Sequence, residues 1–85
     1  MMEDDPDPVL LTRIDPRRNM ARFYALSIEP TLFGDFAVCR SWGRIGTAGR
    51  RRLDLFRDLA AARACKLELE RTKRKRGYRS SAPAR

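Results

Sequence analysis

The segment Trp42-Gly43-Arg44-Ile45-Gly46-Thr47-Ala48-Gly49 brings an aromatic plane, a guanidinium and three glycines into one short window. Indole stacks on a base or a sugar, a guanidinium makes a bidentate bond to phosphate or carboxylate, and glycine lets a ligand or a second strand approach the backbone. The same residues also read as a strand entering a Gly-rich hairpin, with Trp42 packed in a small core. Residue types alone leave both readings open. Trp42 sits between Arg40 and Arg44 and ahead of a loop, an arrangement that pairs a stacking plane with cations for a nucleic-acid backbone.

Two more basic groups lie downstream, the run Arg50-Arg51-Arg52 and the cluster Arg71, Lys73, Arg74, Lys75, Arg76 and Arg79. A run of arginines also protects an exposed strand edge from aggregation. Cations near a helix C-terminus suit its dipole, and the spacings Lys66/Glu70 and Glu70/Arg74 are those of surface pairs that stabilise a helix. One such cation is explained this way, six are not. The candidate nucleic-acid-binding residues are therefore Trp42, Arg40, Arg44, Arg50, Arg51, Arg52, Lys73 and Arg74.

Charge placement agrees with that choice. The chain carries a net +8, with seven acidic and five basic side chains in residues 1–40 but four acidic and fourteen basic ones in residues 41–85. The positive field belongs to the half that starts at Trp42, and such a field attracts polyanions, nucleic acid ahead of an anionic membrane. Catalytic chemistry finds little to use, since there is no histidine, no Ser-centred elbow and no paired carboxylates in the expected folded region. The glycines at 43, 46 and 49 match neither dinucleotide-binding nor P-loop spacing. Cys39 and Cys65 lack Cys-x-x-Cys spacing and read first as buried free thiols of a reducing compartment, with a disulfide between them the open alternative. The expectation is a protein that is not an enzyme, with no metal and no cofactor.

The elements that must position these residues follow from periodicity. Residues 1–8, acidic and broken by prolines, read as a loose tail with none of the order of a signal peptide. Strands are predicted over 9–14, 20–29, 36–45 and 50–56, separated by the turns Asp15-Pro16-Arg17-Arg18-Asn19, Pro30 to Asp35 and Gly46-Thr47-Ala48-Gly49. Period-two alternation puts Arg22, Tyr24, Leu26 and Ile28 on one face of the second, Phe36, Val38, Arg40 and Trp42 on one face of the third, and Arg52, Asp54 and Phe56 on one face of the fourth. Asp58 reads as an N-cap and a helix runs to about Arg76 before Gly77, with Ala62, Cys65, Leu69 and Thr72 as its narrow packing stripe. Phe23, Phe33, Phe36 and Phe56 are expected in the core, with Tyr24 and Tyr78 as anchors whose hydroxyls reach water. The fold class is α+β: one small domain, a twisted antiparallel sheet of four or more strands, one face covered by the single C-terminal helix.

Trp42-Gly43-Arg44-Ile45-Gly46, with Gly49, the aromatic strand Phe23-Tyr24-Ala25-Leu26 and the closing Gly77-Tyr78, resembles the WGR domain of poly(ADP-ribose) polymerases and of short stand-alone bacterial proteins. The resemblance covers residues 9–79, with 80–85 as a second tail. It implies a nucleic-acid-binding or interaction module without activity of its own, in which Trp42 contacts DNA and Arg44 contacts a neighbouring domain. Arg50-Arg51-Arg52 departs from the family, where a Gln is common after the glycine.

These readings converge on non-catalytic binding of nucleic acid, DNA ahead of RNA, by arginine contacts to phosphate and stacking by Trp42, with no recognition helix to read base edges. On this view Trp42 serves the ligand more than the core. The alternative is a protein-interaction module in which Trp42 and Arg44 anchor an acidic partner, and a third reading is a stand-alone domain acting with a separately encoded enzyme. No apolar run is long enough to span a bilayer. The expected place is the cytoplasm, at the nucleoid if the protein is bacterial.

Overall fold

The four predicted strands and a fifth, shorter one form a single antiparallel sheet in the computed structural model, which describes residues 8–80. The strands are β1 (Val9–Asp15), β2 (Met20–Pro30), β3 (Phe36–Arg44), β4 (Arg50–Phe56) and β5 (Arg79–Ser80), with α1 (Leu59–Lys75) between the last two. Spatial order is β4-β3-β2-β1-β5. The architecture is α+β, as expected. The proposed acidic tail and closing tail lie outside the described residues except for Pro8 and Ser80. Ser80 pairs with Leu11 and Arg79 with Thr12, so the chain returns from the helix to close the β1 edge. A strand of two residues has no alternation by which a sequence could announce it.

Register separates the two faces. Leu11, Tyr24 and Trp42 lie side by side, as do Leu26 and Arg40, and Ile28, Val38 and Asp54. This face takes the helix: Leu11, Tyr24, Leu26, Ile28, Val38, Ala62 and Tyr78 make the buried core, with Val9, Phe36, Trp42, Phe56, Leu59, Cys65 and Leu69 packed against it. Ala62 is fully buried on the inner side of the helix, where a methyl side chain lets the helix backbone come down on the strands. Leu10, Ile14, Leu53 and Leu55 belong to the opposite face and are exposed.

The helix begins where Asp58 takes an extended conformation and its carboxylate accepts the Ala61 amide at 2.8 Å. Four sequence expectations are corrected. Phe23 is only half-buried and lies on the face away from the helix, over the Gly43 and Gly49 backbones, because it alternates with Tyr24. Phe33 is 91% exposed, because the loop before β3 is closed by the Thr31 amide donating to the Asp35 carbonyl, the Thr31 hydroxyl bonding Asp35 and the Phe33 amide donating to Thr31 Oγ1, which turns its tip outward. Tyr24 is a core residue with its hydroxyl buried, since it sits in mid-sheet under the helix. Lys66 is buried on the inner side of α1 rather than on its surface; it follows Ala62 by one turn, and the apolar stem of a lysine can cover a core while its head reaches outward. The Glu70–Arg74 pair does form, at 2.9 Å.

The N-cap yields a simple test. Asp58→Ala removes the acceptor of the Ala61 amide and should lower unfolding stability by about 1 kcal/mol, read as a shift of the urea midpoint at unchanged slope.

Candidate nucleic-acid interface

The Trp-Gly-Arg segment ends β3 and turns into β4, and its glycines serve the hairpin first. A Cβ on Gly43 would lie 2.8 Å from the Gly49 α-carbon. A Cβ on Gly49, whose φ is +70°, would strike the Trp42 backbone and come within 2.9 Å of the Phe23 ring. Two bare backbones thus touch across the hairpin under an aromatic ring, and the close approach that the sequence suggested is strand to strand. Arg44 closes the same end: its Nη1 donates to the Asn19 carbonyl at 3.2 Å and its Nη2 to Asn19 Oδ1 at 3.4 Å. Its fork is partly occupied by the β1–β2 turn, and its side chain remains exposed.

Trp42 projects from the helix side, half-buried, with its ring 6.5 Å from that of Tyr24 and tilted 37° to it. It therefore belongs to the margin of the core as well as to the surface. Beside it opens a cleft of about 290 Å³ lined by Tyr24, Arg40, Trp42, Leu69, Thr72 and Lys73. Lys73 reaches in from α1, its Nζ 4.7 Å from the centre of the Tyr24 ring and 5.5 Å from that of Tyr78, within range of cation–π attraction. Burial lowers the Lys73 amine from the ordinary lysine range, and Arg76, Arg40 and Arg22 push it the same way.

Arg40 forms the floor. Its Nη2 is 3.4 Å from Asp54 Oδ2, while Arg52 Nε lies 3.2 Å from the other oxygen of that carboxylate, so one acid holds two guanidiniums side by side. The Tyr24 hydroxyl and Arg40 Nε are both buried without a hydrogen bond of normal geometry. They are nonetheless neighbours, and interaction with the Tyr24 hydroxyl is the largest influence raising the already high Arg40 pKa, ahead of the opposing effect of burial and the support of Asp54.

The basic residues do not all gather here. Arg50 pairs with Trp42 and Arg52 with Arg40 across β3–β4, on the cleft side; Arg51 pairs with Ser41 on the opposite face, where a larger depression holds Leu10, Ala25, Cys39 and Arg51. Arg74 binds Glu70 and the Ser80 hydroxyl, the latter at 2.7 Å, tying α1 to β5. Of the candidate residues, Trp42, Arg40 and Lys73 line one cleft, Arg50 and Arg52 flank it, and Arg44, Arg51 and Arg74 lie apart. Tyr24, Leu69 and Thr72 were absent from the sequence choice. The cross-strand neighbour of Trp42 was the signal for Tyr24, which needs a register; Thr72 and Leu69 needed the helix phase relative to the sheet.

The thiols stay out of this chemistry. Cys39 and Cys65 are free, and burial pushes both thiols up, most strongly among the causes in each case. They lie on opposite faces of the sheet, Cys39 beside Ser27 and Leu53 and Cys65 against the core. Among the described residues no group of three or more His, Cys, Asp or Glu side chains converges as a metal site would require, and no helix is long and apolar enough to cross a membrane.

Comparison with known proteins identifies the Trp-Gly-Arg hairpin. The uncharacterized protein y4dW of Sinorhizobium fredii (strain NBRC 101917 / NGR234) is 51% identical to this chain over 79 residues, which are 93% of this chain and 39% of that protein. This chain thus spans well under half the length of that relative. No solved structure gives a significant match. The family model for the WGR domain matches residues 7–85, which takes in every described element of the fold, and the chain belongs to the WGR domain family.

Proposed function

We propose that this domain binds nucleic acid, DNA ahead of RNA, without catalysing a reaction, through the aromatic and cationic cleft between β3 and α1. The observation that carries the reading is the convergence of Trp42, Tyr24, Arg40 and Lys73 on one cleft, with Arg50 and Arg52 beside it in register. An aromatic wall suits a base or sugar, and guanidiniums at its rim suit phosphates. The preference for DNA rests on the family. Recognition through shape and backbone fits the absence of a helix presenting Asn or Gln to base edges.

Salt tests this reading against the alternative of an acidic protein partner. A panel of fluorescent duplex, nicked, overhanging and single-stranded DNAs should bind with a logarithm of affinity that falls linearly with that of salt, by about 0.9 per duplex phosphate neutralised. The faces sharpen the test. Replacing Arg50 and Arg52 together by Gln should flatten the slope, whereas Arg51→Gln, on the other face, should change it little. A slope near zero, or no binding at low salt, would favour the protein-interaction reading. Equal effects of Arg51 and of the Arg50/Arg52 pair would move the phosphate path to the β4 edge.

A further inference from the structure

Phosphate binding alone gives no reason for an amine in this cleft. Of nineteen basic side chains, sixteen are arginines, which cannot act as amine nucleophiles, and three are lysines. Lys66 is buried beneath α1 and Lys75 is exposed at its end. Lys73 alone projects into the cleft, over two tyrosine rings. No carboxylate among the described residues is set against it: Asp54 is held by Arg40 and Arg52, and Glu70 by Arg74. Its charged neighbours are Arg22 from β2, Arg40 from β3 and Arg76 beyond the helix. A lysine that is partly desolvated and surrounded by other cations keeps more of its amine neutral, the condition under which lysines attack carbonyl carbons.

Resting on the DNA reading above, we propose that Lys73 captures the open-chain aldehyde of an abasic deoxyribose in DNA as an imine. A site that has lost its base carries this electrophile next to phosphates, and the cleft places an amine next to guanidiniums. The missing base leaves room for the Trp42 ring to face the sugar, while Tyr24 lies buried beneath the amine. In the reaction the neutral Nζ donates its lone pair to C1′ of the ring-opened sugar, and the carbonyl oxygen takes up a proton to give a carbinolamine. Loss of that oxygen as water, with a hydrogen from the nitrogen, leaves the C=N bond. Amine and aldehyde give imine and one water, with no change of oxidation state.

The test uses a duplex in which one uracil has been excised, beside the same duplex carrying a tetrahydrofuran analogue that has no aldehyde. Binding of the analogue gives occupancy, and borohydride treatment of the abasic complex reduces the imine to a stable secondary amine. The reduced adduct should map by mass spectrometry to Lys73 at least tenfold over Lys75. Its yield should persist to lower pH than that of a free-lysine control, because the amine is neutral at lower pH. Lys73→Arg, which keeps the cation, should cut adduct per bound complex at least tenfold. Adduct mapping chiefly to another amine, or none from protein that binds the analogue, overturns the inference and leaves DNA binding standing. Failure to bind the analogue at all removes both.

Discussion

Gly49→Ala should destabilise the domain by at least about 3 kcal/mol, which for a chain of this length lowers Tm by more than roughly 12 °C. Two effects add. The residue adopts φ +70°, a left-handed conformation that costs an L-residue with a side chain about 1–2 kcal/mol. The new methyl would also strike the Trp42 backbone and the Phe23 ring, and neither yields without moving β2 or β3. Gly46→Ala isolates the first effect, because its φ is +95° but nothing lies within 4 Å of an added Cβ; it should cost only about 1–2 kcal/mol. Thermal melts of the two variants decide the matter. Equal losses would show that the close approach of Gly49 to the Trp42 backbone and the Phe23 ring contributes nothing.

That contrast also explains how much could be read in advance. Strand faces were legible because Phe36, Val38, Arg40 and Trp42 alternate with residues of the other face, and the observed register keeps all four on the helix side. The N-cap at Asp58 and the helix end near Gly77 were legible because each depends on one residue type in a local conformation. What stayed hidden depends on distance across the chain. The cleft exists because Lys73 and Thr72 on α1 stand over Tyr24 and Trp42, and a helical stripe of small residues does not tell which turn meets which strand. Phe33 was misplaced for a related reason: hydrophobicity argues for burial, but the Thr31–Asp35 loop settles where the side chain points, and that loop is fixed by three short-range bonds. Splitting of Arg50-Arg51-Arg52 between faces was implicit in the period of a strand, yet a run of like charges reads as one patch until strand pairing divides it.

Trp42→Ala should weaken nucleic-acid binding by about 1–3 kcal/mol, the usual loss for one stacked base, and should also lower stability, for the same geometric reason. The indole is half-buried against Tyr24 at the edge of the core, so truncation opens space beside a buried ring as well as removing a stacking plane. Binding must therefore be compared well below the variant's melting temperature, with circular dichroism showing the fold retained. Trp42→Phe separates the two roles, because it keeps an aromatic face and most of the packing; it should recover most of the stability and part of the affinity. Trp42 is the only tryptophan in the sequence, so the parent's emission reports the site directly and should change when a base or sugar covers the indole. Parental affinity in a folded Trp42→Ala variant, or emission unaltered at saturating DNA, would assign Trp42 to the core alone. It would leave the cations of the cleft as the whole of the interface.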